Sequence, residues 1–71
     1  MRYLVVIEQG ATSFGAYVPD LPWCVAAGGT RDEALRLIRE AIELVLEDMA
    51  SRGEDSPQSG PPIITEVTVA A

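Results

Sequence analysis

Residues 28–53 read GGTRDEALRLIREAIELVLEDMASRG and predict one long α-helix, against which the rest of this short chain must fold. Thr30 and Glu33 have the spacing of a capping box. The Thr30 hydroxyl would accept a hydrogen bond from the Glu33 N–H, and the Glu33 carboxylate would accept one from the Thr30 N–H. At the other end, a cationic residue followed by Gly53 suits a last turn with a left-handed cap. We therefore expect a helix over residues 31–52.

One side of the predicted helix is apolar, because apolar residues recur at steps of three and four. They are Ala34, Leu35, Ile38, Ala41, Ile42, Val45, Leu46 and Met49. Charged residues occupy much of the remaining surface, where pairs such as Arg36 and Glu40 add about 0.2–0.5 kcal/mol each. Leu37 and Leu44 lie off the stripe and offer a further contact surface.

Before the helix, the sequence predicts three short strands in an antiparallel meander. Residues 3–7 are all apolar or aromatic, which is typical of a strand buried on both faces. A small, polar turn containing Gly10 separates them from a second strand over residues 14–18. Two prolines then stop that strand, and residues 23–27 form the third.

After the helix, residues 54–62 form a polar, proline-rich connection, and residues 63–69 alternate apolar and polar side chains as a strand does. The expected fold is therefore α+β, of order βββαβ, with a small antiparallel-rich sheet and one helix packed on one face. The chain, residues 1–71, should form a single domain.

One helix covers one face of such a sheet and leaves the other face open. The open face would carry apolar residues such as Leu4, Val6, Tyr17 and Ile64. Since soluble monomers rarely expose such a patch, we expect association through the sheet, with another copy or with a partner. The alternative is that Trp23, the prolines and the long loop close that face.

The composition narrows the possible partners. The chain has 71 residues, a net charge of −6, no lysine and no histidine. Clustered cations, which phosphate backbones require, are missing, so direct nucleic-acid binding is not expected. Acidity favours a basic partner or serves only solubility. No apolar run approaches the length of a membrane span, and one cysteine suits a reducing compartment, so we expect a soluble, cytoplasmic protein.

The residues offer little for catalysis. Without histidine, Ser-His and Cys-His pairs are excluded. The remaining acid/base candidates are Glu8, Asp20, Glu40 and Glu43. None lies inside an apolar strand that would shift its pKa, and Cys24 has the apolar neighbours of a packed thiol. We expect no enzymatic activity, no cofactor and no metal site.

Several short strings together resemble the HicB-like antitoxins. They are the opening YLVVIE (3–8), YVPDLP (17–22), Cys24, Gly29-Thr30, DEAL (32–35), Ile38, EAI (40–42) and the proline-rich loop. The string PDLPxC followed by a capped helix is the most specific. The resemblance implies a partial ribonuclease H-like fold without ribonuclease H activity. It also implies that the domain binds a HicA-type ribonuclease toxin and blocks its active site.

The sequence departs from the family pattern at two places. Trp23 replaces the glycine that is usual between that proline and the cysteine. The sequence also stops at Ala71, whereas many members continue into a DNA-binding segment, so we expect no direct DNA binding by this chain.

The leading hypothesis is an antitoxin-like protein that occludes a small basic toxin. The expected partner-binding residues are Asp20, Leu21, Trp23, Glu40, Glu43 and Glu47. In this hypothesis the three glutamates steer the toxin and the other three residues dock it. The first alternative is a solitary homo-oligomeric structural or ligand-sensing domain without a toxin. The second is a magnesium-dependent nuclease, for which we expect no activity.

Overall fold

A computed structural model describes residues 2–57 and 63–70. It contains β1 (Val6–Gln9), β2 (Phe14–Val18), β3 (Leu21–Gly28) and α1 (Arg31–Ser51). The strands form an antiparallel sheet of order β1-β2-β3, and α1 packs on one of its faces. The predicted α+β arrangement, with three strands before one helix, is therefore confirmed.

The predicted fourth strand is wrong for this structure. Residues 63–70 have no regular secondary structure, and the side chains of Ile63, Ile64, Val67 and Val69 are 77–94% exposed. Alternating apolar and polar side chains show only that a segment could form a strand. The strand forms only if a neighbouring strand edge accepts its hydrogen bonds. Part of the predicted connection, residues 58–62, lies outside the described residues.

The first and third strands differ from their predicted limits because of the register. The β1–β2 ladder runs from Val6 opposite Tyr17 to Gln9 opposite Phe14, so residues 3–5 lie outside the ladder and β1 begins at Val6. The segment 3–7 is partly buried and not enclosed on both faces. β3 begins early, at Leu21, because a register shift beside Val18 brings Leu21 into the ladder.

A small core fills the space between the sheet and α1. It consists of Ala16, Val18, Leu21, Cys24, Ala34 and Ile38. Met49 is buried near the other end of α1, while Leu35 lies at the margin of the predicted stripe and is partly exposed. Burial raises the pKa of the Cys24 thiol, because the thiolate would be desolvated there.

Both ends of the helix carry caps. The Thr30 hydroxyl accepts a hydrogen bond from the Glu33 N–H at 3.1 Å, as predicted. The Glu33 carboxylate accepts from the Gly29 N–H at 3.3 Å, one residue earlier than predicted. Gly53 has φ +73°, which confirms the left-handed cap.

The helix begins close against the end of β3. A Cβ atom added to Gly28 would lie 2.8 Å from the Ala34 nitrogen, too close for any residue but glycine without a shift. This contact fixes the helix on the sheet and leaves a cleft along each of its sides.

Candidate protein-binding surface

The cleft on the β3 side of α1 is centred on two exposed apolar side chains. It has a volume of about 440 Å³ and is lined by Trp23, Leu44, Val45, Asp48, Met49, Arg52 and Glu54. Trp23 is 60% exposed and Leu44 is 67% exposed. We call this surface the Trp23–Leu44 cleft.

Carboxylates surround the apolar centre of this cleft. Asp48 and Glu54 line it, and helical spacing places Glu40 and Glu47 beside Leu44, four residues before it and three after it. Arg52 lies 3.0 Å from Asp48 and 3.2 Å from Glu54. These ion pairs are half-exposed or more, so they contribute little to stability, and carboxylates outnumber the arginine.

The structure distributes the predicted partner-binding residues unequally. Trp23 lines the Trp23–Leu44 cleft, Glu40 and Glu47 are exposed on the outer surface of α1, and Asp20 is exposed in the turn before β3. Leu21, by contrast, is completely buried in the core, because the register shift beside Val18 turns its side chain inward, away from the surface where it was expected to dock a partner.

Glu43 lies on the opposite flank of the helix. One residue of an α-helix turns by about 100°, so Glu43 and Leu44 point to different sides. Glu43 lines the cleft on the β1 side, which has a volume of about 870 Å³. Its other lining residues are Arg2, Tyr3, Val5, Leu35, Arg36, Ile38, Arg39, Ile42 and Leu46. We call it the arginine-rimmed groove.

Sequence reasoning missed this groove. Three of the five arginines of an acidic chain line it, against one carboxylate, Glu43. The spacing of Arg36 and Arg39 places them on one helix flank, but nothing in the sequence showed that Arg2 would lie across from them. Arg36 also forms an ion pair with Glu40 at 3.4 Å.

The sheet face opposite α1 carries a short apolar row. Val6 pairs with Tyr17, and Tyr17 pairs with Val25, so the three side chains stand on one face of adjacent strands. Tyr17 and Val25 are exposed, and Val6 is partly buried. Trp23, which the alternative placed over this face, lines the Trp23–Leu44 cleft, and residues 58–62 of the long loop lie outside the described residues.

The described residues show no arrangement typical of a metal centre or a membrane span. Over residues 2–57 and 63–70, no three acidic or cysteine side chains cluster as metal ligands would. In the same part of the chain, no helix combines the length and apolarity that a bilayer crossing needs.

Comparison with known proteins gives matches over most of the chain. The family model described as "HicB_like antitoxin of bacterial toxin-antitoxin system" matches residues 3–68. A UPF0150 protein of Thermoplasma acidophilum is 35% identical over 66 residues, which cover 92% of this chain and 96% of that protein. No solved structure gives a significant match.

Two further relatives are longer than the matched region. A UPF0150 protein of Helicobacter pylori is 50% identical over 44 residues, 62% of this chain and 61% of that protein. An uncharacterized 14.9 kDa protein from the rep-hol intergenic region of Haemophilus phage HP1 is 38% identical over 61 residues, 86% of this chain and 46% of that protein. The chain thus spans about half the length of the phage relative.

Proposed function

Because this chain belongs to the HicB-like antitoxin family, we propose that it is the antitoxin of a toxin–antitoxin pair. Its partner in this proposal is a small, basic, HicA-type ribonuclease. The chain binds the toxin and occludes its active site, and it catalyses no reaction itself. The pair acts in the cytoplasm, where the toxin finds its RNA.

The observation that carries this proposal is the exposure of Trp23 beside Leu44. Tryptophan is enriched among the residues that contribute most to protein–protein binding, because it buries a large rigid surface and loses little conformational entropy. Leaving two large apolar side chains together in water is unfavourable. A partner that covers the Trp23–Leu44 cleft removes both from solvent.

The charge around the cleft supports a basic partner. Asp48 and Glu54 line the cleft, and Glu40 and Glu47 lie about one helical turn from Leu44, in a chain of net charge −6. Opposite charge accelerates encounter and orients the two proteins before the apolar contact forms. Trp23 and Leu44 therefore supply binding energy, while the carboxylates supply rate and specificity.

The proposal is tested by co-expressing the chain with any small basic protein that a neighbouring gene encodes. We expect a complex that survives purification and restores the growth of cells that produce the toxin. Trp23→Ala should raise the Kd by about 30-fold or more, the effect of losing a central aromatic contact. The measurement is calorimetry with an inactive toxin.

Val25→Ala is the matched control, because Val25 is 64% exposed but lies on the opposite face of the sheet. It should change the Kd by less than about twofold, as expected for a residue outside the contact. Failure of both binding and growth rescue would contradict the antitoxin role. Equal losses from the two substitutions would contradict the assignment of the Trp23–Leu44 cleft.

The apolar row on the open sheet face favours a second candidate function, a homo-oligomeric structural domain without a toxin. Val6, Tyr17 and Val25 would be covered by another copy of the sheet. In this case no neighbouring protein binds, and Val25→Asp lowers the mass measured by light scattering.

A further inference from the structure

Two of the arginines that line the arginine-rimmed groove are available for a ligand. Arg36, the third, forms an ion pair with Glu40. Within residues 2–57 and 63–70, neither Arg2 nor Arg39 forms an ion pair or a side-chain hydrogen bond. Since the chain has 11 acidic residues and only five arginines, two cations without a carboxylate on one groove are unusual. Such a pair attracts an anion, against which only Glu43 of the described lining acts.

The rest of the groove is largely apolar. Val5, Ile38, Ile42 and Leu46 are buried or partly buried in its lining, and Leu35 is partly exposed. Leu35 and Leu46 are three helical turns apart, so the apolar lining follows α1 for about 16 Å. A ligand that fills the groove therefore carries an apolar body beside its anionic group.

The lining offers little to a ligand with a polar body. Among the described lining residues, the only uncharged polar side-chain group is the Tyr3 hydroxyl, which already donates to the Pro57 carbonyl. A nucleobase or a sugar would leave its own polar groups unpaired against this surface, which is unfavourable. An extended peptide would need a strand edge for its backbone, and both Tyr3 and Leu4 already have partners. A hydrocarbon chain has no such requirement.

The guanidinium group determines which anionic group fits. Its planar fork donates two parallel N–H bonds to the two oxygens of a carboxylate. Arg2 and Arg39 are exposed at the rim, and they belong to the segment before β1 and to α1. The groove volume of about 870 Å³ lies within the roughly 300–1,000 Å³ of small-molecule sites. Charge, apolar lining and size thus converge on one concave surface.

We propose that the arginine-rimmed groove binds a free, single-chain amphipathic carboxylate, of the class of medium-chain fatty acids. Arg2 and Arg39 donate hydrogen bonds to the carboxylate, and the alkyl chain packs along Leu35, Ile42 and Leu46. The bound molecule joins the N-terminal segment to α1, so it should also raise the temperature of thermal unfolding. The proposal does not depend on a toxin.

Calorimetry of the full chain with decanoate tests the site. We expect saturable binding, with a Kd that falls about threefold or more for every two carbons added from hexanoate to decanoate, because each methylene buries apolar surface. Decanol, which has the same chain without the charge, should bind about 10-fold more weakly or worse. Equal affinity for decanol and decanoate would overturn recognition of the anion.

Substitutions in the groove test the roles of its charges. Arg2→Gln and Arg39→Gln should each raise the Kd for decanoate about 10-fold, because a charge-assisted hydrogen bond is lost. Arg31→Gln is the matched control, since Arg31 is an exposed arginine of the same helix outside the described lining. It should change the Kd by less than about twofold. Glu43→Gln should lower the Kd by about twofold, because a repulsive charge is removed.

NMR of methyl groups locates the ligand. Decanoate should shift the methyl signals of Leu35 and Leu46 and leave those of Leu44, in the other cleft, unchanged. Three further results would each overturn the proposal: no saturable binding of decanoate, equal losses in Arg31→Gln and Arg39→Gln, or binding to anionic phospholipid vesicles without binding of free decanoate. Circular dichroism should show the same helix content in every variant, since the substituted side chains are exposed.

Discussion

The two flanks of α1 are built by the same helix and differ in charge. Toward β3, Leu44 and Trp23 lie among carboxylates, whereas toward β1 Leu35 and Leu46 lie among arginines. A rotation of about 100° per residue is enough to sort neighbouring residues into two surfaces. The comparison teaches that one amphipathic helix can present two surfaces of different charge, so a partner bound on one flank leaves the other flank accessible.

The largest expected effect is a loss of stability from a substitution in the core that supports both surfaces. Leu21→Ala should destabilise the fold by about 2–5 kcal/mol, because it leaves a cavity between the sheet and the helix. Thermal unfolding followed by circular dichroism measures the loss. Thr12→Ala, at an exposed position in the turn between β1 and β2, should lie within about 0.5 kcal/mol of the original chain. If Leu21→Ala weakened toxin binding without lowering stability, Leu21 would be a contact residue after all.

A smaller effect, on toxin affinity, should distinguish the two flanks of α1. Leu44→Arg places a cation in the Trp23–Leu44 cleft and should weaken binding of the basic toxin about 10-fold or more, through repulsion and lost apolar contact. Leu35→Arg, on the other flank, should leave toxin affinity within about twofold. Calorimetry with both variants measures the difference. If both variants weakened toxin binding equally, the two flanks would belong to one interface.

The smallest expected effect is on the rate of association with the toxin. The double variant Glu40→Gln and Glu47→Gln should slow association with the toxin by several-fold to about 10-fold at low salt, because long-range attraction is reduced. The difference should shrink at high salt, where charges are screened. Arg39→Gln on the other flank should not slow association. Stopped-flow fluorescence of Trp23 measures the association rate of both variants at low and high salt, and an equal slowing by Arg39→Gln would contradict steering by Glu40 and Glu47.

The local patterns in the sequence were strong enough to predict the helix and the meander. The Thr30 cap and Gly53 marked the ends of α1 to within one residue, because caps are recognised from adjacent residues alone. The limits of β1 and β3 were less accurate, since register depends on the strand opposite. Residues 63–69 were predicted wrongly for the same reason, because alternating side chains do not show whether a strand edge is available to pair with them.

The candidate site was predictable only in part. Its exposed members, Trp23 and Leu44, were recognised as a departure from the family pattern and as a residue off the helix stripe. The burial of Leu21 follows from a register shift that no local pattern encodes. The arginine-rimmed groove combines Arg2 with residues more than thirty positions away, and only the folded chain brings them together.

The buried Cys24 can report how often α1 separates from the sheet. It is the only cysteine, and it lies between the sheet and α1 with its pKa raised by desolvation. Since the thiolate is the reactive form, a maleimide or iodoacetamide should label it only when the helix separates from the sheet. The labelling rate therefore measures how often that separation occurs. A partner that binds the helix and the sheet together should lower the labelling rate.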